Sequence, residues 1–273
     1  MQSILLQGGA LAVFLGLGLL WPRSGVPVLG RASLINLLTG GLLFGLKFLT
    51  LRGLGWLMGW HEGSGGPPHV WAGWLSLSWL SAPFLQFLFV FLVSDLMRYW
   101  LHRAHHEIGV LWQFHRVHHS SVQMNATAGL RMHIVDFIQL SLLPVLLFGA
   151  IFDTRSLDPR VFVWLSVVVV TMDGFQHADL RFPIHHPVAG VWGKVFNNPF
   201  FHAWHHTAEP DRHHGNYGQT LVLWDRLFGT VIEAADVPAV LGLDETQALQ
   251  EDVVGLQRLT PLAGHAGAPV RGG

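Results

Sequence analysis

The chain has 273 residues, of which 51% are hydrophobic and only 12% are Asp, Glu, Lys or Arg. Its net charge of −1 gives no electrostatic support for a nucleic-acid partner. The absence of cysteine excludes disulfides, thiolate zinc sites, thiolate-ligated Fe–S clusters and cysteine nucleophiles, and among the remaining metal ligands histidine dominates with 18 copies.

In chain order, residues 4–20 are an apolar run rich in Leu, Gly and Ala. No positive residue precedes the run and no small-residue cleavage site follows it. It reads as a retained membrane helix rather than a signal peptide, with Trp21 at interface depth. Residues 34–51 form a second span, with Lys47 close enough to its end to snorkel. A Gly/Pro loop covers 53–73. Residues 74–99 are the strongest span, since ~20 apolar residues cross a bilayer, and Asp95 and Arg98 mark its exit. Apolar arms at 134–152 and 161–171 flank a polar turn at 153–159; each is short for a full crossing, so the pair reads as a tilted hairpin. From 173 to 225 the chain is aromatic and His-rich, and its last residues, 262–273, read as disordered. The expected fold is all-α and polytopic. About four membrane-embedded helices support a cytoplasmic His-box cap, divided as N-terminal transmembrane helices (1–97), a catalytic region (98–235) with a membrane hairpin at about 134–172, and a C-terminal tail (236–273).

Lys/Arg asymmetry orients these spans. With the first span starting outside, Arg23, Arg31, Arg98, Arg103, Arg116, Arg131, Arg181, Lys194, Arg212 and Arg226 fall inside, while Arg52, Arg155 and Arg160 fall outside. The same orientation brings every histidine cluster to the cytoplasmic side.

Residues 100–120 hold six histidines. His102 and His106 are four apart, and His115, His118 and His119 follow with spacings of three and one; His202, His205 and His206 repeat that second pattern. Positions three and four apart share a helix face, so each box can aim its imidazoles at one point. The three boxes supply eight imidazoles, more than one tetrahedral metal can take, which implies two metals sharing a site. His177 is a ninth candidate ligand, because it follows the last apolar arm at the same membrane face. His105 lies off the face of His102 and His106 and reads as a bystander. An all-nitrogen dinuclear site suits redox chemistry, in which two Fe ions use O2 to attack an unactivated C–H bond. A zinc hydrolase generally carries HExxH, and none occurs here.

Further motifs surround these boxes. They are Asp95-Leu-Met-Arg-Tyr99-Trp100-Leu-His102-Arg103, Trp112-Gln-Phe-His115-Arg-Val-His118-His119-Ser120, Thr127-Ala-Gly-Leu-Arg131-Met-His133, Gln176-His177 and Asn198-Pro199-Phe-Phe-His202-Ala-Trp-His205-His206. Asn216-Tyr217-Gly218 and Leu223-Trp224-Asp225-Arg226-Leu227-Phe228-Gly229-Thr230 follow. Over residues 85–232 the chain resembles the fatty acid hydroxylase / sterol desaturase superfamily of membrane di-iron oxygenases. The resemblance implies a cytoplasmic di-iron site, O2 as co-substrate, a lipid-like substrate and a separate electron-transfer protein of ferredoxin or cytochrome type. It also implies a histidine ligand at His177. The Asn-Tyr-Gly and Trp-Asp-x-x-Phe-Gly-Thr elements are shared with the alkylglycerol monooxygenase branch, so ether-lipid cleavage stays open. Two departures leave the subfamily open: Met132-His-Ile-Val-Asp136 stands where many members have His-Pro and Glu, and His214 stands where an acidic residue is expected near Asn216.

Around the metals, Asp95 and Asp225 either orient imidazoles through the second ring nitrogen or act as interfacial caps paired with Arg98 and Arg226. His133 reads as a cap or an outer contact, one of His185 and His186 could complete the shell, and His214 reads as an outer or surface residue. Asn216-Tyr217-Gly218 reads as a turn in which Gly218 takes a positive φ. Trp204 could shield the metals. His213, like His214, reads as an outer or surface residue, and His61, His69 and His265 lie outside the constellation. The expected function is hydroxylation of a fatty acyl, sterol or related hydrophobic lipid. A desaturase or alkylglycerol monooxygenase on the same scaffold is the enzymatic alternative. A membrane metal-binding or transport protein is the alternative of another class, which the nearly clean apolar spans disfavour.

Overall fold

A computed structural model describes residues 2–24, 30–57, 73–183, 185–209, 214–243, 249 and 252–258. Most of the Gly/Pro loop, His61, His69, Arg212, His213, His265 and the end of the tail lie outside the described residues.

The described chain is mostly helical. Its elements are α1 (Gln2–Leu20), α2 (Arg31–Leu57), β1 (Leu75–Ser76), α3 (Pro83–Glu107), α4 (Gly109–His119), α5 (Ile134–Ser141), α6 (Leu143–Ile151), β2 (Phe152–Asp153), α7 (Arg160–His177), α8 (Pro187–Gly193), α9 (Pro199–His205) and α10 (Leu223–Phe228). Short 3-10 turns occur at Ala128–Leu130, Thr154–Ser156 and Gly255–Gln257. The two strands are a minimal parallel pair, Leu75 opposite Phe152 and Ser76 opposite Asp153.

Three described helical stretches, 31–50, 83–107 and 134–151, are long and apolar enough to cross a membrane, and 8–20 is a shorter apolar helix. Only 28–33% of each long stretch is buried within the protein, so their outward faces expose Leu34, Leu38, Phe84, Leu85 and Val145. Surfaces of that kind belong in lipid.

Two boundaries differ from the sequence expectation. The strongest span begins at Pro83, not at residue 74, because Pro83 occupies the first turn, where its missing N–H costs nothing, and holds Ala82 extended. The span then runs past residue 99 to Glu107, so membrane helix and first histidine box are one rod. The first arm of the expected hairpin is long enough for a crossing but is two helices, broken at Leu142 with Pro144 in the first turn of α6.

The two ends of the molecule are packed differently. At the far end, Leu77, Leu80, Val90, Phe148, Leu157 and Val161 form an apolar core between α3, α6 and α7. Gln86 secures this end: its amide donates to the Leu80 and Ser156 carbonyls and accepts from the Asp158 N–H. At the other end, α4, α7 and α9 finish on histidines and α3 carries His105 and His106 in its last turn. A helix C-terminus carries partial negative charge, so their convergence favours a cation.

Candidate metal centre

All nine candidate histidines come together in the folded chain. His102, His106, His115, His119 and His205 form one group and His118, His177, His202 and His206 a second, with one ring nitrogen from each histidine of a group within 4.8 Å of the others. None of the nine is more than 5% exposed. The spacing within the boxes explains the sharing. On α4 the i, i+4 pair His115 and His119 enters the first group, and His118, one residue before His119, turns to the second. On α9 the pattern is reversed: His202 and His206 enter the second group and His205 the first. The groups touch where His119 stacks on His206 with centroids 4.3 Å apart.

The hydrogen bonds fix which nitrogen faces inward. Nδ1–H of His118 donates to the Arg131 carbonyl (3.2 Å), that of His177 to the Asp173 carbonyl (2.8 Å) and that of His205 to the Gly215 carbonyl (2.9 Å). His115 Nδ1–H donates to both oxygens of Asp136 at 3.1 Å. A neutral imidazole has one N–H, and a carbonyl only accepts, so Nε2 of these rings is a bare lone pair. Yet His118 Nε2 and His177 Nε2 stand 3.3 Å apart. His102 Nε2 is 3.0 Å from His115 Nε2, and His102 Nδ1 lies 2.7 Å from the Tyr217 carbonyl and 2.8 Å from the Gln219 amide. Buried lone pairs aimed at one another repel unless a cation lies among them.

Both nitrogens of His106, Nδ1 of His202 and His206, and Nε2 of His205 are buried without a hydrogen-bond partner. Such atoms are costly unless something else binds them. Burial, and after it neighbouring imidazoles, holds the pKa of His115, His118, His119, His202 and His206 well below the ordinary histidine value. Burial brings His205 down to about 3. These rings are therefore neutral at pH 7, the form that binds metal. The donor set, all imidazole nitrogen, fits divalent transition metals.

The fatty acid hydroxylase family model matches residues 87–230, more than half of the chain and all nine histidines. The chain belongs to the fatty acid hydroxylase family. Among curated relatives it is 31% identical over 180 residues to an alkylglycerol monooxygenase of Caenorhabditis elegans, covering 64% of this chain and 32% of the relative. It is 32% identical over 143 residues to the ornithine lipid hydroxylase OlsE of Rhizobium tropici, covering 50% of this chain and 39% of that protein. It is 27% identical over 162 residues to the fatty acid hydroxylase vlmA of a Lecanicillium species, with 55% and 42% covered. The chain thus spans under half the length of each of these relatives. No solved structure matches it.

Around the fatty acid hydroxylase boxes, several sequence expectations need correction. Asp95 and Asp225 touch no imidazole. Asp95 accepts from Thr220 N, Leu221 N and Trp224 Nε1, and Asp225 from Tyr217 N, Gly218 N and the Thr230 hydroxyl. Burial raises the Asp225 pKa to about 6. The two carboxylates hold the 216–222 loop, and its Tyr217 carbonyl then receives His102, so they act through backbone. The positive φ in this turn falls on Asn216 (57°), not on Gly218. Asn216 is held there by bonds to the Phe201 carbonyl and Ile232 N–H. Gly218 is needed for space, since a Cβ would overlap the Leu221 carbonyl oxygen and lie 2.6 Å from Asp225 Oδ2.

His186 and His185 are exposed at the start of α8 and join neither group. Trp204 is tied to the Asp236 carbonyl through its indole N–H. His133 caps α5, accepting the Val135 N–H and donating to the Gln257 carbonyl. His214 stands exposed with its ring centroid 6.3 Å from that of His106. His105 spends both nitrogens on the Leu101 carbonyl and Gln139.

Sequence reasoning quoted Asp136 only as a departure and gave it no role. It is fully buried on α5 and holds His115 in place. A lone acidic residue in the otherwise apolar first turn of a membrane helix was the available signal.

Proposed function

We propose that the protein is a membrane-bound non-haem di-iron oxygenase that hydroxylates a lipid with O2 and electrons from a separate donor protein. One Fe ion would be held by His102, His106, His115, His119 and His205, and the other by His118, His177, His202 and His206. The observation that carries this reading is the convergence of nine buried imidazoles, in which outward Nδ1–H donation by His115, His118, His177 and His205 leaves their Nε2 lone pairs facing inward. When bound, the metals supply the redox chemistry that divides O2, one oxygen entering a C–H bond as hydroxyl and the other leaving as water with two electrons and two protons.

The chain's own residues orient and exclude. Carbonyls of Arg131, Asp173, Gly215 and Tyr217, with Asp136, hold the rings. Burial at or below 5% exposure keeps water from the site. Lipid would reach it laterally, along the exposed apolar faces of α2 and α3. A fourth span formed by α1, a cytoplasmic face for the histidine end and the three-part domain division belong to the same proposal, supported by the Lys/Arg asymmetry of the loops.

Metal analysis and lipid turnover test the reading together. His118→Ala should remove metal from the second group and His205→Ala from the first, and either should abolish oxidation while the protein stays in the membrane. Unchanged metal and full turnover in both variants would defeat the assignment. Cleavage of an alkylglycerol ether bond is the second reading, favoured by the similarity to alkylglycerol monooxygenases over 64% of the chain in one case. Oxidation next to an ether oxygen releases an aldehyde, whereas acyl hydroxylation leaves the chain intact, so product analysis separates the two.

A further inference from the structure

The outward face of α8 is apolar, the reverse of a helix bordered by water. Val188, Val191 and Trp192 on this helix are exposed, and so is Val195 in the hydrogen-bonded turn that follows it. Their spacing of i, i+3, i+4 and i+7 places them along one side. The half-buried residues of α8 are the small ones, Ala189, Gly190 and Gly193. A Cβ on Gly193 would lie 3.2 Å from Asn198 Nδ2 and 3.4 Å from the Phe182 ring. Small residues thus face the protein and large apolar ones face away, and no residue of the helix is fully buried. A surface helix of a water-soluble domain turns its apolar stripe inward.

This face is connected to the lipid-facing surface of α3. That helix exposes Leu85 and, about four turns on, Trp100. Trp100 lies about 26 Å along the axis from Pro83, close to the ~30 Å thickness of the hydrocarbon layer, so it stands where Trp marks the membrane interface. Phe228 of α10 packs on Trp100 with ring centroids 4.8 Å apart, and Leu223 and Leu227, four apart on α10, are exposed. Helix α10 is tied in turn to the end of α8. The Val222 N–H donates to the Val195 carbonyl at 2.9 Å and Arg226 Nε to the Lys194 carbonyl at 3.1 Å.

The charges on these two helices suit the same surroundings. Lys194 and Arg226 are both exposed, and Glu233 pairs with Arg226 at 3.3 Å, which leaves the pair of helices with a positive border. Apolar side chains flanked by Lys and Arg are the composition of a helix lying in the plane of the membrane, where the cations reach the headgroup phosphates.

We propose that α8 and α10 lie in the bilayer interface, with Val188, Val191, Trp192, Val195, Leu223 and Leu227 among the lipid headgroups and upper acyl chains. The histidine end then rests on the membrane instead of projecting beyond the spans. This goes beyond the oxygenase reading and holds whatever the metals oxidise.

The test exploits the absence of cysteine from the chain. Val191→Cys and Leu227→Cys, each carrying one NBD fluorophore, are placed as the full metal-bearing chain in phosphatidylcholine nanodiscs, one copy per disc. Leu85→Cys supplies the lipid reference and NBD-cysteine in the buffer the aqueous one. A nitroxide carried near the top of the lipid acyl chain should quench both labels, as it quenches Leu85→Cys, and acrylamide should quench them less than it quenches NBD-cysteine. Val188→Cys and Leu223→Cys, about one turn away on the same faces, replace any variant that loses its metal. Failure of the lipid nitroxide to quench at either helix overturns the proposal. Strong acrylamide quenching would then mean a face open to water and to a soluble partner, and weak acrylamide quenching a face covered by the protein itself.

Discussion

At the scale of single residues, the metal centre depends on groups that are not themselves candidate ligands. Asp136 gives His115 a carboxyl hydrogen-bond partner on its outer nitrogen, which orients the ring and fixes the inner nitrogen as the ligand. Asp136→Asn should keep the shape but weaken metal binding at the first group by about 10–100-fold, read by competitive chelator titration. An unchanged affinity would mean that the carboxylate serves packing alone. Gly129 acts through space. A Cβ there would lie 3.0 Å from His177 Nδ1 and 3.1 Å from Asp173 Oδ2. Gly129→Ala should therefore displace His177 and lower metal occupancy of the second group, leaving the first loaded. Elemental analysis would then give about half of the unmodified protein's metal, and full occupancy would show that the ring tolerates the shift.

At the scale of elements, each helix carries its histidines at its end, and loops fix the angle of the rings. The 215–222 loop supplies the Gly215 and Tyr217 carbonyls to His205 and His102 and is itself tied to α3 by Asp95. Asp95→Ala leaves Thr220 N, Leu221 N and Trp224 Nε1 without their acceptor. Unsatisfied buried donors cost about 1–3 kcal/mol each, so the variant should unfold at a clearly lower temperature in detergent and hold metal less tightly. A melting temperature within a degree or so of the original would show that the loop is held by other contacts. The polar stripe of α2 does similar work. Ser33 and Asn36 bond to Asn125 and Thr127, and Gly40 packs against Leu130, which positions the turn before Arg131, the residue whose carbonyl receives His118.

At the scale of the molecule, the two histidine groups join α3, α4, the C-terminal end of α7 and α9 across more than one hundred residues of sequence. A ligand that binds only the folded state stabilises it by RT ln(1 + [L]/Kd), about 4 kcal/mol at a thousandfold excess over Kd. Exhaustive chelation should therefore lower the thermal midpoint and expose the histidine end to proteolysis, while the apolar far end around Val90 and Val161 stays protected. Coincident loss of protection at both ends would show that the core does not stand without the metals.

Much of this was legible in the sequence. The all-helical class, the greasy spans and the nine histidines are local properties, set by composition and by the three- and four-residue periodicity of a helix, and His105 could be set aside because it lies off the face of His102 and His106. The division of the nine into five and four was not legible, since the HxxHH spacing permits both the arrangement on α4 and its reverse on α9, and only the packing of those helices selects between them. Asp95 and Asp225 misled for the same reason. A buried carboxylate near a histidine box can bind a ring or a backbone, and the approach of the 216–222 loop decided for the backbone. The sequence by itself determined which groups are expensive to bury; the tertiary structure decided which of them meet, because that depends on the register in which the helices pack.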